Sequence, residues 1–194
     1  MDEKEKDMET VENEARTYHR IGIFQNSFSK VLLEGLSRIG LPEVRIVTNV
    51  KEMDDYGCDI VLVADDDTSK WNEIYEQSRY LNIPLMFMFN FGTGSCVTVT
   101  DPRGVRPDFL SDPQGREPWK WMFDYTRGHN AFFNVTNHEW LDSAEKWMEY
   151  PSIKNSIGVY AQTMAAINMI AVMAHGSEVY NFPKFYLLSM VGQN

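Results

Sequence analysis

Cysteine is nearly absent: Cys58 and Cys96 are the only two in 194 residues. They are too few and too far apart for a zinc knuckle, and they read as small buried hydrophobes of a reducing compartment. Basic charge is also short. Lys+Arg 18 against Asp+Glu 28 leaves a net charge of −10, and a protein that tracks nucleic-acid phosphates needs a basic face. No apolar run opens the chain. Residues 1–16 hold seven acids and two lysines, the reverse of a signal peptide. Residues 1–17 are therefore expected to be an acidic, disordered leader in a cytoplasmic setting. Only 12 Gly and 8 Pro occur, and 43% of the residues are apolar. With no internal repeat or low-complexity core, residues 18–194 read as one globular domain. A chain of this length buries roughly 70% of its unfolded surface and needs neither disulfide nor metal to fold.

What is present is an alternation of apolar strands and amphipathic helices. Arg20–Phe24 reads as a strand. Asn26 or Ser27 is then placed to cap a helix carrying Phe28, Val31, Leu32, Leu36 and Ile39 at helical spacing, stopped by Gly40 and Pro42. Val44–Val47 and Asp59–Ala64 are further strands. Thr68 is expected to cap a second helix, with Trp71, Ile74, Tyr75, Ser78 and Leu81 on one face. Pro84–Phe89 is a fourth strand, and a turn through Gly92 and Gly94 leads to a fifth around Val97 and Val99. Residues 101–150 look loop-rich, punctuated by Pro102, Pro107, Pro113 and Pro118. A long helix runs from Ser156 to His175-Gly176, and Phe185–Leu188 closes the chain as a strand. Continuous apolar strands alternating with helices signal a mostly parallel sheet covered on both faces, hence an α/β fold. Ile157–Ala174 is apolar enough to suggest a membrane span. Gln162, Thr163 and Asn168 in its middle, and the lack of flanking aromatic and basic belts, favour a buried core helix and no membrane partner.

In sheets of this kind a nucleotide's phosphates sit on a glycine-rich turn between the first strand and its helix. Here that turn, Phe24-Gln25-Asn26-Ser27-Phe28-Ser29, contains no glycine, so side chains occupy the phosphate space. The second strand ordinarily ends in a ribose-binding acid; Thr48 stands there instead.

The order of elements resembles the ThiF/MoeB/E1 superfamily, enzymes that adenylate the C-terminus of ubiquitin-like or sulfur-carrier proteins. The resemblance is carried by RIGIFQNSFSKVLLEGLSRIGLPEVRIV, CDIVLVADDD, NIPLMFMFNFGTGSCVTVTDP, AQTMAAINMIAVMAHG and YNFPKFYLL, taken in order over residues 20–110 and 155–190. It implies a Rossmann-like ThiF/E1 domain over residues 18–194, with residues 101–150 as an irregular, aromatic-rich insertion. The departures bear on activity. The family's glycine positions fall on Phe24, Asn26, Ser27 and Ser29, and its ribose acid on Thr48. The segment that supplies Arg, Gln and Lys to the ATP phosphates is missing. Asp66 matches the magnesium-side Asp, but the Arg five residues on is Trp71, with Lys70 beside it, and the Asn four further on is Tyr75. No cysteine lies at the thioester position, and no CxxC pair is present. The resemblance thus implies a pseudoenzyme without cofactor that acts by association, as one half of a dimer with an active E1-like subunit or as a peptide-binding subunit. The alternative is a diverged adenylyltransferase that uses Mg-ATP through Asp66 and Lys70.

Asp65, Asp66 and Asp67 at a strand end are the best candidate metal ligands, but an acidic turn ahead of a helix is the favoured explanation and no bound metal is expected. His138-Glu139 lacks the second His of a zinc site, with Asp142 one turn on. His19, His129 and His175 stand alone, and His175 suits a helix C-terminus. Trp119, Trp121, Phe123 and Tyr125 alternate. As a strand they would share one face and form a partner-binding surface, or else cover the sheet.

Overall fold

The computed structural model describes residues 18–40, 43–65, 67–135, 139–148 and 157–189. The acidic leader, Asp66, His138 and Ser156 lie outside them. Six strands form one sheet: β1 (Arg20–Phe24), β2 (Glu43–Val47), β3 (Ile60–Ala64), β4 (Leu85–Asn90), β5 (Gly94–Thr100) and β6 (Tyr186–Ser189), in spatial order β2-β1-β3-β4-β5-β6. The first four are mutually parallel, β5 is antiparallel to β4, and β6 is antiparallel to β5. Only β5 therefore runs against the rest, and the domain is Rossmann-like α/β.

The helices are α1 (Ser29–Arg38), α2 (Val50–Tyr56), α3 (Trp71–Leu81), α4 (Pro118–Phe132), α5 (Glu139–Met148) and α6 (Ile157–Ala174). Strand residues alternate between two cores, as the pleat requires. Ile21, Ile23, Ile60, Leu62, Met86, Met88, Val97 and Val99 face α1 and α6, and meet Leu32, Leu36, Ala166, Met169, Ile170 and Met173. Val61, Val63, Leu85, Phe87, Phe89 and Cys96 face the other side and meet Met53, Trp71, Ile74, Tyr75, Met122, Phe123, Leu141 and Ala144. On that side Trp71 packs on Phe87, Phe89 and Phe109 at centroid distances of 4.9, 5.5 and 5.9 Å. Tilted and edge-on pairs of this kind add about 0.5–1.5 kcal/mol each beyond area burial.

Several expectations are corrected. The short stretch between β2 and β3, for which the sequence suggested no element, holds α2, started by Asn49, whose Oδ1 accepts from Glu52 N at 3.2 Å. Residues 101–150 are less irregular than expected, since their described part includes a 3-10 turn, Asp108–Leu110, and helices α4 and α5. Pro118 sits at the first turn of α4, where a missing N–H costs nothing. Neither expected residue sits at the N-cap position itself. Phe28 precedes α1 and Lys70 precedes α3, with no side-chain cap bond from either, although Asn26 Oδ1 accepts from Phe28 N at 2.7 Å just ahead of α1. In α3 the buried face of Trp71, Ile74, Tyr75 and Ser78 is as expected. In α1, by contrast, Val31 and Ile39 are exposed at 40% and 45%.

Helix α6 is long and apolar enough to cross a membrane by length and composition, and 56% of it is buried against the sheet. Its other side leaves Tyr160 and Met164 at 61% and 54% exposure.

Candidate functional site

The chain passes from β1 to β2 on one side and returns to β3 on the other, so the topological switch lies between β1 and β3. Ligands of open α/β sheets bind outside the strand ends at such a switch. Here that crevice is bounded by Phe24, Gln25 and Asn26 after β1, Val63, Ala64 and Asp67 around the end of β3, and Trp71 and Ile74 of α3; its free volume is about 10 Å³. That is the space of barely one water. Phe24 and Trp71, exposed by 7% and 1%, fill it with aromatic carbon.

The turn after β1 spends its own donors. Gln25 N donates to Val47 O at 2.8 Å, Asn26 N to Ser29 Oγ at 2.8 Å, and Phe28 N to Asn26 Oδ1 at 2.7 Å. Ser29 N donates to Asn26 O at 3.4 Å, and Asn26 Nδ2 to Phe24 O at 3.0 Å. In a phosphate-binding loop, backbone N–H groups of this kind face the ligand; here side chains of the same loop occupy two of them and backbone carbonyls two more. Ser27 is exposed beside the turn.

The ribose position is likewise committed. Thr48 N and Thr48 Oγ1 donate to the two carboxylate oxygens of Glu52 at 2.7 and 2.8 Å. These bonds, the backbone one foremost, hold the Glu52 carboxyl below its ordinary range.

Asp65 and Asp67 have separate partners. Asp65, 8% exposed, accepts from Asn90 N at 2.9 Å and from Gln162 Nε2 at 3.3 Å, and so joins the ends of β3 and β4 to α6. Gln162 Nε2 also donates to Met88 O at 2.6 Å. Asp67 points elsewhere and accepts from Ser69 Oγ and Ser69 N at 2.6 and 3.1 Å, which lowers its pKa. Asp66 lies outside the described residues. Among those residues no three His, Cys, Asp or Glu side chains gather as a metal-binding group. Lys70 is exposed at the mouth of the crevice, with Nζ 6.0 Å from the Phe24 ring centroid. Tyr75 is buried in the aromatic core, where burial raises the pKa of its hydroxyl.

The four aromatics of residues 119–125 do not form a strand face. They lie on α4, where a spacing of two residues turns a side chain by about 200°. Phe123 is buried and meets Phe91 edge-on at 5.2 Å. Trp121 stacks on Tyr125 at 5.1 Å, and Tyr125 Oη donates to Pro183 O at 3.2 Å. Trp119, Trp121 and Tyr125 are half-buried against the same core. The aromatic exposure of this helix lies at its other end, where Phe132 and Phe133 are 82% and 62% exposed. Helical periodicity through Trp121, Tyr125 and His129 would have revealed that orientation. His175 accounts for itself as expected, its Nδ1 lying 2.7 Å from Ala171 O at the end of α6. The residues missed altogether are Asn90 and Gln162, whose partners lie 25 and 74 residues away.

A second opening, of about 300 Å³, lies on the far side of Trp71, between the start of α3 and residues 109–118. Trp71 lines both spaces. Comparison with family models, curated proteins and solved structures gives no match to this chain.

Proposed function

We propose that the chain is a non-catalytic, ThiF/E1-like subunit that works by binding a protein or peptide in a modification pathway, as one half of a homo- or heterodimer in the cytoplasm. The observation that carries this reading is the filled switch-point crevice, whose roughly 10 Å³ admit no nucleotide. The self-satisfied turn of Asn26 and Ser29 and the Thr48–Glu52 pair support it from either side. A fold that keeps its frame and loses its ligand space retains its surfaces as working parts. Aromatics anchor such surfaces, and Phe132 and Phe133 are available at the end of α4. One observation favours a diverged Mg-ATP adenylyltransferase instead: Lys70 remains exposed over Phe24.

Thermal unfolding with millimolar ATP, with and without Mg²⁺, separates the two. A ligand at a hundredfold its Kd stabilises by about 2.7 kcal/mol, which raises the Tm of a domain this size by roughly 5–10 °C. No shift is expected. A clear Mg-dependent upshift, abolished in Asp66→Ala or Lys70→Ala, establishes the adenylyltransferase.

A further inference from the structure

Residues 1–17 carry seven acids against Lys4, Lys6 and Arg16, and so hold −4 of the chain's −10. They join the described fold at Tyr18, just ahead of β1. The strand register shows what else lies at that end of the sheet. Ile21 pairs with Ile60, Val61 with Leu85, and Leu85 with Thr100, so the start of β4 and the end of β5 line up with the start of β1. Asn82 and Pro102, just outside those two strands, therefore share its edge. Two arginines are anchored there by neutral acceptors. Arg79 Nε donates to Pro102 O at 3.1 Å, and Arg103 Nε to Asn82 Oδ1 at 3.1 Å. Both residues are exposed, and neither guanidinium enters an ion pair among the described residues. Arg20, Arg38, Arg106, Arg116 and Arg127, by contrast, each meet a carboxylate. The neighbouring acids are engaged elsewhere: Asp101 Oδ1 accepts from the Arg103 backbone N–H at 2.8 Å, and Glu76 pairs with Arg106. A guanidinium fixed through Nε keeps both Nη groups for an incoming carboxylate.

We infer that this chain's own acidic leader docks at Arg79 and Arg103, with its carboxylates on their Nη groups. Strands about 4.8 Å apart put β4 and β5 roughly 10 and 14 Å from β1, and seventeen residues reach up to about 56 Å. A segment tethered so near presents its carboxylates at an effective concentration on the order of millimolar, which a free acidic ligand must exceed to displace it. Tyr80 and Val105, 81% and 66% exposed and adjacent in sequence to arginines of this patch, offer an apolar seat to Val11 of the leader. The contact joins exposed charges, so salt weakens it. It stands apart from the ThiF/E1-like reading.

The test uses the full chain with Thr10→Cys carrying a nitroxide. Cys58 and Cys96 are buried and stay unlabelled at neutral pH. Paramagnetic broadening is followed on the amide signals of Arg79, Asn82 and Arg103, against a diamagnetic control. Strong broadening is expected at about 20 mM salt, and its loss at about 1 M. Arg79→Gln with Arg103→Gln should reduce it about fivefold, the scale of two exposed charge pairs. Glu5→Gln, Asp7→Asn and Glu9→Gln together change no residue of the described fold and should reduce it equally. No broadening at these amides, or broadening that survives both sets of substitutions, would overturn the inference. So would broadening centred on Arg45, which also lacks a carboxylate partner among the described residues and lies over the Tyr56 ring at 4.2 Å. Broadening found only between copies, when an isotope-labelled chain without nitroxide is mixed with a nitroxide-bearing one, would overturn it too, since the docked leader would belong to a second copy.

Discussion

Gly158, in the first turn of α6, lies so close to Asn90 at the end of β4 that a methyl group on its Cα would overlap Asn90 Oδ1 and come within 2.9 Å of Gly92 O. That approach brings α6 down on the strand ends and lets Gln162, one turn on, reach Met88 O and Asp65. Gly158→Ala must push the helix outward and stretch these bonds. Overpacking of a tight contact costs about 1–3 kcal/mol. The expected result is a lower midpoint in urea with an unchanged slope. Wild-type stability in this variant would show that α6 can slide without cost.

Asp112 and Arg116 set an acid limit on the loop ahead of α4. The Arg116 guanidinium bonded to it holds the Asp112 carboxyl down at about 2. A depressed carboxylate contributes its stability above the unfolded pKa, about 3.9 for Asp, and loses it as pH falls through the folded value. The contribution is therefore whole at neutral pH and declines between about pH 4 and pH 2. Asp112→Asn is expected to flatten that part of the stability profile and leave its shape above pH 5 unchanged. Direct titration of the Asp112 side-chain carboxyl by nuclear magnetic resonance checks the same point.

Both thiols are silent in the native state. Burial pushes the Cys58 thiol up to about 11 and raises Cys96 as well, so neither forms a thiolate near neutrality. Reaction with a chromogenic disulfide at pH 8 is expected only after denaturation, when both thiols are counted. A fast-reacting native thiol would restore a cysteine nucleophile, and with it a catalytic reading.

These positions mark where sequence reasoning ends. The four parallel strands, the stop at Gly40 and the buried face of α3 followed from apolar periodicity, because each is decided within a few residues. Helix α2 was missed because it is short and its start depends on one capping set, Thr48, Asn49 and Glu52, rather than on an apolar stripe. Helix α4 was misread because Trp119, Trp121, Phe123 and Tyr125 satisfy a period of two over a window too short to expose the period of 3.6. The absence of glycine from the turn after β1 could be read directly. The bonds that Asn26 and Ser29 make within that turn could not. The cavity at Trp71 was beyond reach, because its walls come from residues 68–72 and 109–118 and only the fold brings them together.

The proposed dimer is expected to meet along the outward face of α6. Ile157, Tyr160, Met164 and Val172 are 41%, 61%, 54% and 37% exposed. At 100° per residue they fall within one stripe about 120° wide, which also includes Asn168. All eighteen residues of the helix are uncharged, on a chain of net charge −10. Two copies repel over most of their surfaces and meet without repulsion along this stripe. Trp119, Trp121 and Tyr125 are partly spent on the protein's own core, so the apolar contact of a dimer falls to α6. Light scattering at micromolar concentration is expected to give twice the chain mass. Tyr160→Glu and Met164→Glu, each placing a charge on the stripe and its symmetry mate, should give monomers with intact circular dichroism. A wild-type monomer would leave this face to a different subunit, and dimers that persist in both variants would move the interface off α6.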